Sequence, residues 1–240
     1  MPLSRAPNQA HLQFLKDNAE ASWRYRFIHA LETVYRPRSA QHSVGKNQVG
    51  ALYDFAGNTI GRAAPIFYME FGVFEGDSMA RIAERFSHPQ ARFFGFDSFE
   101  GLPEDWVLPW GTVKRSTFAT DGNRPVVTDP RISFIAGWFQ NSVPSFLRNG
   151  GTIGHRGPFL VHFDADLYSS TLFLLSTLWH FVDEYYFIFD EYLEHEQIAL
   201  DDFAQSYPVD IEFLCQTNAD EDPCQVFGRL KRVPFQLAVG

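Results

Sequence analysis

Cysteine is almost absent. The 240 residues hold two, Cys215 and Cys224, with no His or Cys at metal-ligand spacing around either. A disulfide-built scaffold and a zinc-finger type of site are thereby excluded, and both residues are read as free thiols. Long apolar runs are missing as well. No stretch approaches the ~20 residues of a membrane span, and the opening "MPLSRAPNQAHLQ" lacks the apolar segment of a signal peptide, so a cytoplasmic protein without a membrane partner is expected. Positive charge is in deficit: 20 Lys and Arg stand against 29 Asp and Glu, a formal charge of −9. Nucleic acid would be repelled at long range, which leaves small molecules, with or without a bound cation, as the partners to consider. There is no internal repeat, no low-complexity tract and no G-x-G-x-x-G, so the pyrophosphate cradle of dinucleotide-binding proteins is lacking.

What the chain does have is apolar residues, 45% of the total including 25 Phe, enough for a substantial core. One domain over 1–240 is expected, with a helical extension over 1–60 and an α/β core over 61–240. Residues 8–36 carry mixed apolar and charged spacing that suits one or two amphipathic helices ended by Pro37, and "QHSVGKNQVGALYDFAG" predicts another short helix. The apolar faces of the N-terminal helices suit packing against their own sheet or a second copy of the chain. From residue 66 strands and helices alternate. "PIFYMEFGV", "RFFGFDSF", "RISFIAGWF", "GPFLVHFDADLY" and "EYYFIFDEY" read as five strands. The intervening helices include one from about Ser78, a short one in "SVPSFLRNG", and "SSTLFLLSTLWHFV", whose serines are expected to cap it. Residues 100–130 read as loop. "YPVDIEFLCQT" and "CQVFGRLKRV", separated by the turn-rich "NADEDP", read as a hairpin. Five β/α repeats closed by an antiparallel hairpin predict a mostly parallel, Rossmann-like sheet of the class I methyltransferase type.

"FYMEFGVFEGDSMARIA" reads as strand, glycine turn and helix, with Gly72 and Gly76 four apart. Such a turn is expected to leave backbone N–H groups free for a ligand that approaches closely. Acids collect where the strands should end: Glu70, Asp97, Asp164, Asp166, Asp190 and Glu191. Charges inside apolar runs are costly unless compensated, which asks for a cation, a hydroxyl-rich ligand or both. Asp97 lies 21 residues after Gly76, where the acid of a nucleoside-binding unit meets the ribose; the alternative is that it caps the turn "DSFEGLP". S-adenosylmethionine has a ribose, no phosphate and an ammonium that Glu70 would suit. Asp164, Asp190 and Glu191 are oxygen donors suited to a hard divalent ion such as Mg²⁺. Asp166, two residues on, is the candidate general base, expected to point to the same strand face as Asp164. His162 reads as a hydrogen-bonded core residue, and His195 with the acids of 194–202 as a solvated helix face. Trp106 and Trp110 are candidates for an apolar lid, with Lys114 and Arg115 facing an acidic acceptor or water.

"MEFGVFEGDS", "FFGFDSFEGLPEDW", "ISFIAGWFQNSVPSFL", "VHFDADLYSST" and "FIFDEY", in this order and spacing, resemble the macrocin O-methyltransferase family over about residues 60–195. The resemblance implies a class I enzyme that methylates hydroxyls of sugars in natural products, with a small hydroxylated acceptor as partner. It implies that Glu70, Gly72, Gly76 and Ser78 form the S-adenosylmethionine loop, that Asp97 holds the ribose and that Gly137 and Trp138 lie along the adenine. It also implies Asp164, Asp190 and Glu191 as magnesium ligands and Asp166 as base. Glu191 stands where the family has a second Asp. The alternatives are a metal-independent small-molecule methyltransferase and a protein that binds the cofactor without turnover.

Overall fold

In the computed structural model the described residues are 40–45, 48–108, 111–192, 195–217 and 225–233. The helices expected over 8–36, Trp110, the "NADEDP" turn and Cys224 lie outside them. In chain order the elements are β1 (His42–Ser43), α1 (Val49–Ile60), β2 (Phe67–Phe71), α2 (Asp77–Ala83), β3 (Arg92–Asp97), β4 (Trp106–Leu108), β5 (Gly111–Val113), β6 (Ile132–Ala136), α3 (Phe139–Arg148), β7 (Phe159–Phe163), α4 (Tyr168–Trp179), β8 (Glu184–Phe189), α5 (His195–Ser206), β9 (Val209–Gln216) and β10 (Val226–Arg232).

The main sheet has the order β1-β9-β10-β8-β7-β2-β3-β6. The neighbours from β8 through β7, β2 and β3 to β6 are parallel, and β10 runs antiparallel between β8 and β9. The five expected strands and the closing hairpin are all present. Alternation along β2 explains the three layers. Phe67, Met69 and Phe71 face a core with Val143 and Leu147 of α3, Leu174, Leu175 and Leu178 of α4, and Leu200 and Phe203 of α5. Tyr68 faces the opposite core with Leu52, Tyr53 and Ala56 of α1 and Met79 and Ile82 of α2. A strand covered on both faces must be apolar at every position, and β2 is fully buried, including Glu70.

Three local expectations are corrected. Residues 100–130 are not all loop, because β4 and β5 pair as a small antiparallel hairpin. Ser169 and Ser170 do not cap α4 but lie in its first turn: the N-cap is Leu167, without a side-chain cap bond. The short helix "SVPSFLRNG" starts earlier, at Phe139, and carries Pro144 inside. No helix among the described residues is long and apolar enough to cross a membrane.

Candidate active site

Chain order reverses between β2 and β7, because β2 continues to β3 on one side while β7 arrives on the other. Such a switch point opens a crevice beyond the carboxyl ends of the strands. The ladder runs one residue past the strands here. Gly72 N donates to Phe96 O (3.0 Å), Asp164 N to Phe71 O (2.9 Å), Asp190 N to Phe163 O (3.0 Å) and Gly137 N to Asp97 O (2.8 Å). The rim residues are therefore placed by the sheet itself. Gly72 is required at this point: its φ is 97°, and a Cβ there would lie 1.8 Å from the Asp164 carbonyl oxygen.

The crevice is a cavity of about 240 Å³ whose wall includes Gly72, Asp97, Trp138, Asp164, Asp166, Asp190 and Glu191. Trp106, Phe74, Phe118 and Phe139 complete it on the apolar side. Seven of the eleven sequence-predicted site residues thus meet in one space. Gly137 lines an adjoining open groove of about 610 Å³ that shares Trp138 with the cavity. Glu70, Gly76 and Ser78 do not line it. Glu70 is instead a buried brace: Ser78 Oγ donates to its Oε1 (2.7 Å), and the Tyr68 hydroxyl donates to its Oε2. Gly76 adopts the left-handed conformation, φ 85°, that starts α2.

Two N–H groups of the glycine turn, those of Val73 and Phe74, are taken up by Asp97. Its Oδ2 accepts from Val73 N (2.7 Å) and Phe74 N (2.9 Å), and its Oδ1 from Phe99 N (2.7 Å). Asp97 therefore both caps its own turn and fastens the glycine turn, while still lining the cavity. A carboxylate offers about four acceptor positions, so capacity remains for a ligand hydroxyl.

Asp166 does not continue a strand as expected, since β7 stops at Phe163. It reaches the cavity from a left-handed backbone, φ 58°, uncommon for a residue other than glycine and concentrated at functional sites. Burial, then the charges of Glu191, Asp190 and Asp97, push its carboxyl up to about 8. Burial and the Asp190 charge likewise raise Asp164, whose shift His162 opposes, and Glu191. None of the described residues lining the cavity is Lys or Arg. Among the described residues, no group of three or more His, Cys, Asp or Glu side chains stands in a metal-binding arrangement. The donor chemistry of Asp164, Asp190 and Glu191 nonetheless suits a hard cation that keeps part of its water shell.

Beneath the rim, His162 is fully buried, as expected of a core residue. Its Nδ1 lies 2.9 Å from the Tyr68 hydroxyl, and its Nε2 3.6 Å from Asp190 Oδ1. Burial pulls its pKa down, but the carboxylates of Asp190 and Glu70, each 3.6 Å from a ring nitrogen, outweigh this and carry it to about 10. It is then an internal cation under the acids.

Three residues assigned to a solvated helix face, His195, Glu196 and Asp201, are buried. His195 Nδ1 accepts from Tyr168 N (3.1 Å), which fixes the proton on Nε2, and Nε2 donates to Val107 O (3.1 Å). One imidazole thus ties the start of α4 to the β4–β5 hairpin, and Trp106 of that hairpin packs edge-on against it. Glu196, fully buried, accepts from Glu191 N at 3.3 Å, and burial together with Asp164, Asp166 and Asp190 holds its carboxyl well above the usual range. Trp106 joins the cavity wall as expected of a lid. Lys114 does not: it pairs with Asp105 at 2.7 Å.

A mostly parallel sheet with a closing antiparallel hairpin, and an acid-rimmed crevice at its switch point, define an α/β protein of the class I methyltransferase type. The macrocin O-methyltransferase (TylF) family matches residues 5–213, and the chain belongs to that family of S-adenosylmethionine-dependent O-methyltransferases. No curated protein matches the chain. Similar solved structures include the O-methyltransferase NovP, 21% identical over 78% of this chain and 78% of that chain with a TM-score of 0.48. Others are an O-methyltransferase from Bacillus cereus in complex with SAH, 13% identical over 96% and 94% with a TM-score of 0.48, and TomG from Streptomyces achromogenes in complex with SAM, 14% identical over 96% and 93% with a TM-score of 0.48.

Proposed function

We propose that the chain methylates a hydroxyl of a sugar or another polyhydroxylated small molecule, with Mg²⁺ held by Asp164, Asp190 and Glu191 and with Asp166 as general base. The observation that carries this reading is the convergence of five carboxylates, Asp97, Asp164, Asp166, Asp190 and Glu191, on one cavity at the switch point. When bound, S-adenosylmethionine supplies the electrophilic methyl group and a divalent cation lowers the pKa of the acceptor hydroxyl. Gly72 lets the backbone approach the cofactor, Asp97 accepts from ribose hydroxyls, and Trp138 offers its ring between cavity and groove. Glu70 and Ser78 serve the cofactor indirectly, by holding the glycine turn. Asp166 takes the hydroxyl proton on a carboxylate oxygen as the hydroxyl oxygen bonds to the methyl carbon and the methyl–sulfur bond breaks, its electron pair leaving with the sulfur of S-adenosylhomocysteine. The apolar hairpin around Trp106 excludes water from that step.

A second reading drops the metal. It is favoured by His162, which already places a buried positive charge 3.6 Å from Asp190. Titration calorimetry with S-adenosylhomocysteine, with and without Mg²⁺, tests both. Cofactor binding that Mg²⁺ strengthens, with activity lost to EDTA and restored by Mg²⁺, is expected; activity unaffected by chelation leaves the metal-free version, and absence of cofactor binding ends both.

A further inference from the structure

Tyr68 has no part in the chemistry proposed above, yet its hydroxyl lies at the middle of a buried polar chain that reaches both halves of the site. Strand alternation sets the chain up. Tyr68 and Glu70 are two apart on β2, Glu70 is the register partner of His162 on β7, and His162 is the register partner of Ile188 on β8, two residues before Asp190. Tyr68, Glu70 and His162 therefore share the sheet face covered by α1 and α2, where Tyr53 of α1 sets its ring edge-on to His162 at 5.9 Å.

At one end Ser78 Oγ, in the first turn of α2, donates to Glu70 Oε1 at 2.7 Å. The Tyr68 hydroxyl gives its one hydrogen to Glu70 Oε2. Its oxygen can then only accept, so His162 Nδ1, 2.9 Å away, carries a hydrogen and donates it. At the other end His162 Nε2 stands 3.6 Å from Asp190 Oδ1 and, buried, makes no hydrogen bond among the described residues. A buried ring nitrogen left open is costly, and a displacement of Asp190 by about 0.5 Å brings the pair into ordinary hydrogen-bond range. Tyr68, Glu70 and His162 have no solvent exposure, so bulk water does not compete for these bonds. Neither Tyr68 nor His162 lines the cavity.

Resting on the proposed activity, which puts the cofactor at the glycine turn and the cation at Asp190, we infer that Tyr68 is a positioning residue. With His162 and Glu70 it ties the placement of Asp190 to that of Ser78 and the glycine turn, so that the cation and the cofactor strengthen each other's binding. Contact along a chain is not itself coupling: coupling is a change of affinity at one end when the other is occupied, and it is reciprocal.

The test titrates S-adenosylhomocysteine into the full chain at saturating Mg²⁺ and again in EDTA, and reads the ratio of the two affinities. In the wild type Mg²⁺ is expected to tighten binding by at least about fivefold, and Mg²⁺ titrated with and without S-adenosylhomocysteine to give the same factor. Tyr68→Phe keeps the ring and removes both bonds. Ser78→Ala cuts the chain at its half-buried end, where folding is less exposed to the change, and decides alone if Tyr68→Phe does not fold. In each the ratio is expected to fall to within about twofold of unity. A folded variant that keeps the wild-type ratio, its S-adenosylhomocysteine affinity weakened equally with and without Mg²⁺ or not at all, shows that the chain only braces the fold and overturns the inference. A wild type whose S-adenosylhomocysteine affinity ignores Mg²⁺ overturns it too, while the cofactor reading stands. If S-adenosylhomocysteine does not bind the wild type, the methyltransferase reading fails first.

Discussion

At the scale of single residues the site turns on a backbone oddity. Asp166 is held at φ 58°, and Asn tolerates that region as well as Asp does, so Asp166→Asn should fold normally. Its expected effect is a loss of roughly 10²–10⁴ in kcat with little change in S-adenosylhomocysteine affinity, read by steady-state kinetics and calorimetry. The sign with pH follows from its raised pKa: the base works only when ionised, so wild-type activity should climb as pH rises toward about 8, and a cation in the site should move that limb lower. An unchanged limb in the Asn variant would assign it to another group. Gly72 is the complementary case. A methyl there meets the Asp164 carbonyl oxygen at 1.8 Å from a backbone angle that Ala disfavours, so Gly72→Ala should cost at least ~2 kcal/mol in urea unfolding and weaken cofactor binding as well. Near-wild-type stability would mean that the rim is more pliable than its ladder of hydrogen bonds implies.

At the scale of elements, what could be read from the chain was whatever local pattern determines. The runs that became β2, β3, β6, β7 and β8 are short, apolar and aromatic between turn residues, and their acids fall at the sheet rim because a fully covered strand tolerates charge only where it leaves the core. The acids at 97, 164, 166, 190 and 191 were legible on that ground. Glu70 lies within β2, before the rim, and its hydrogen-bond partners come from β2 itself and α2. The β4–β5 hairpin escaped because strands of three residues carry no periodicity. His195 escaped for a different reason: its partners lie 27 and 88 residues away, and no local spacing encodes such contacts. Its two bonds make it a clamp between α4 and the aromatic hairpin. His195→Ala should therefore lower stability by ~1–3 kcal/mol and raise the acceptor KM more than it lowers kcat, while S-adenosylhomocysteine affinity stays within about twofold. His195→Gln, which retains one of the bonds, should fall between. If cofactor affinity and acceptor KM shift together, the clamp serves the fold as a whole and not the hairpin.

At the scale of the whole molecule, the acids at the switch point make stability depend on pH in an unusual direction. Paired surface carboxylates such as Asp129, whose hydrogen bond to Arg131 lowers its pKa, favour the fold above their unfolded values and lose that contribution in acid. Asp166 behaves oppositely. Its folded pKa of about 8 lies above the ~3.9 of an unfolded aspartate, so between those values the folded state binds the proton and the unfolded state does not. The stabilisation is complete below the unfolded value and is lost as pH rises through the folded one. Asp164, Glu191 and Glu196 shift in the same direction. So does the contribution of His162, whose imidazolium favours the fold below its unfolded value near 6.5 and ceases to do so as pH passes about 10. The metal-free protein should therefore lose thermal stability steadily from about pH 5 to 9, by an amount on the order of a few kcal/mol. A divalent cation reverses this by competing with protons for the same oxygens, so the rise in Tm on adding Mg²⁺ should be small at pH 5.5 and large at pH 8, followed by differential scanning fluorimetry with EDTA as the control. Calcium chloride at matched ionic strength separates carboxylate coordination from screening, because Ca²⁺ accepts longer bonds and more ligands than Mg²⁺ and should give a different increment, whereas screening alone makes the two equal. A Tm that rises toward alkaline pH without metal would show that these carboxylates are not crowded in solution, and the cation reading would lose its physical basis.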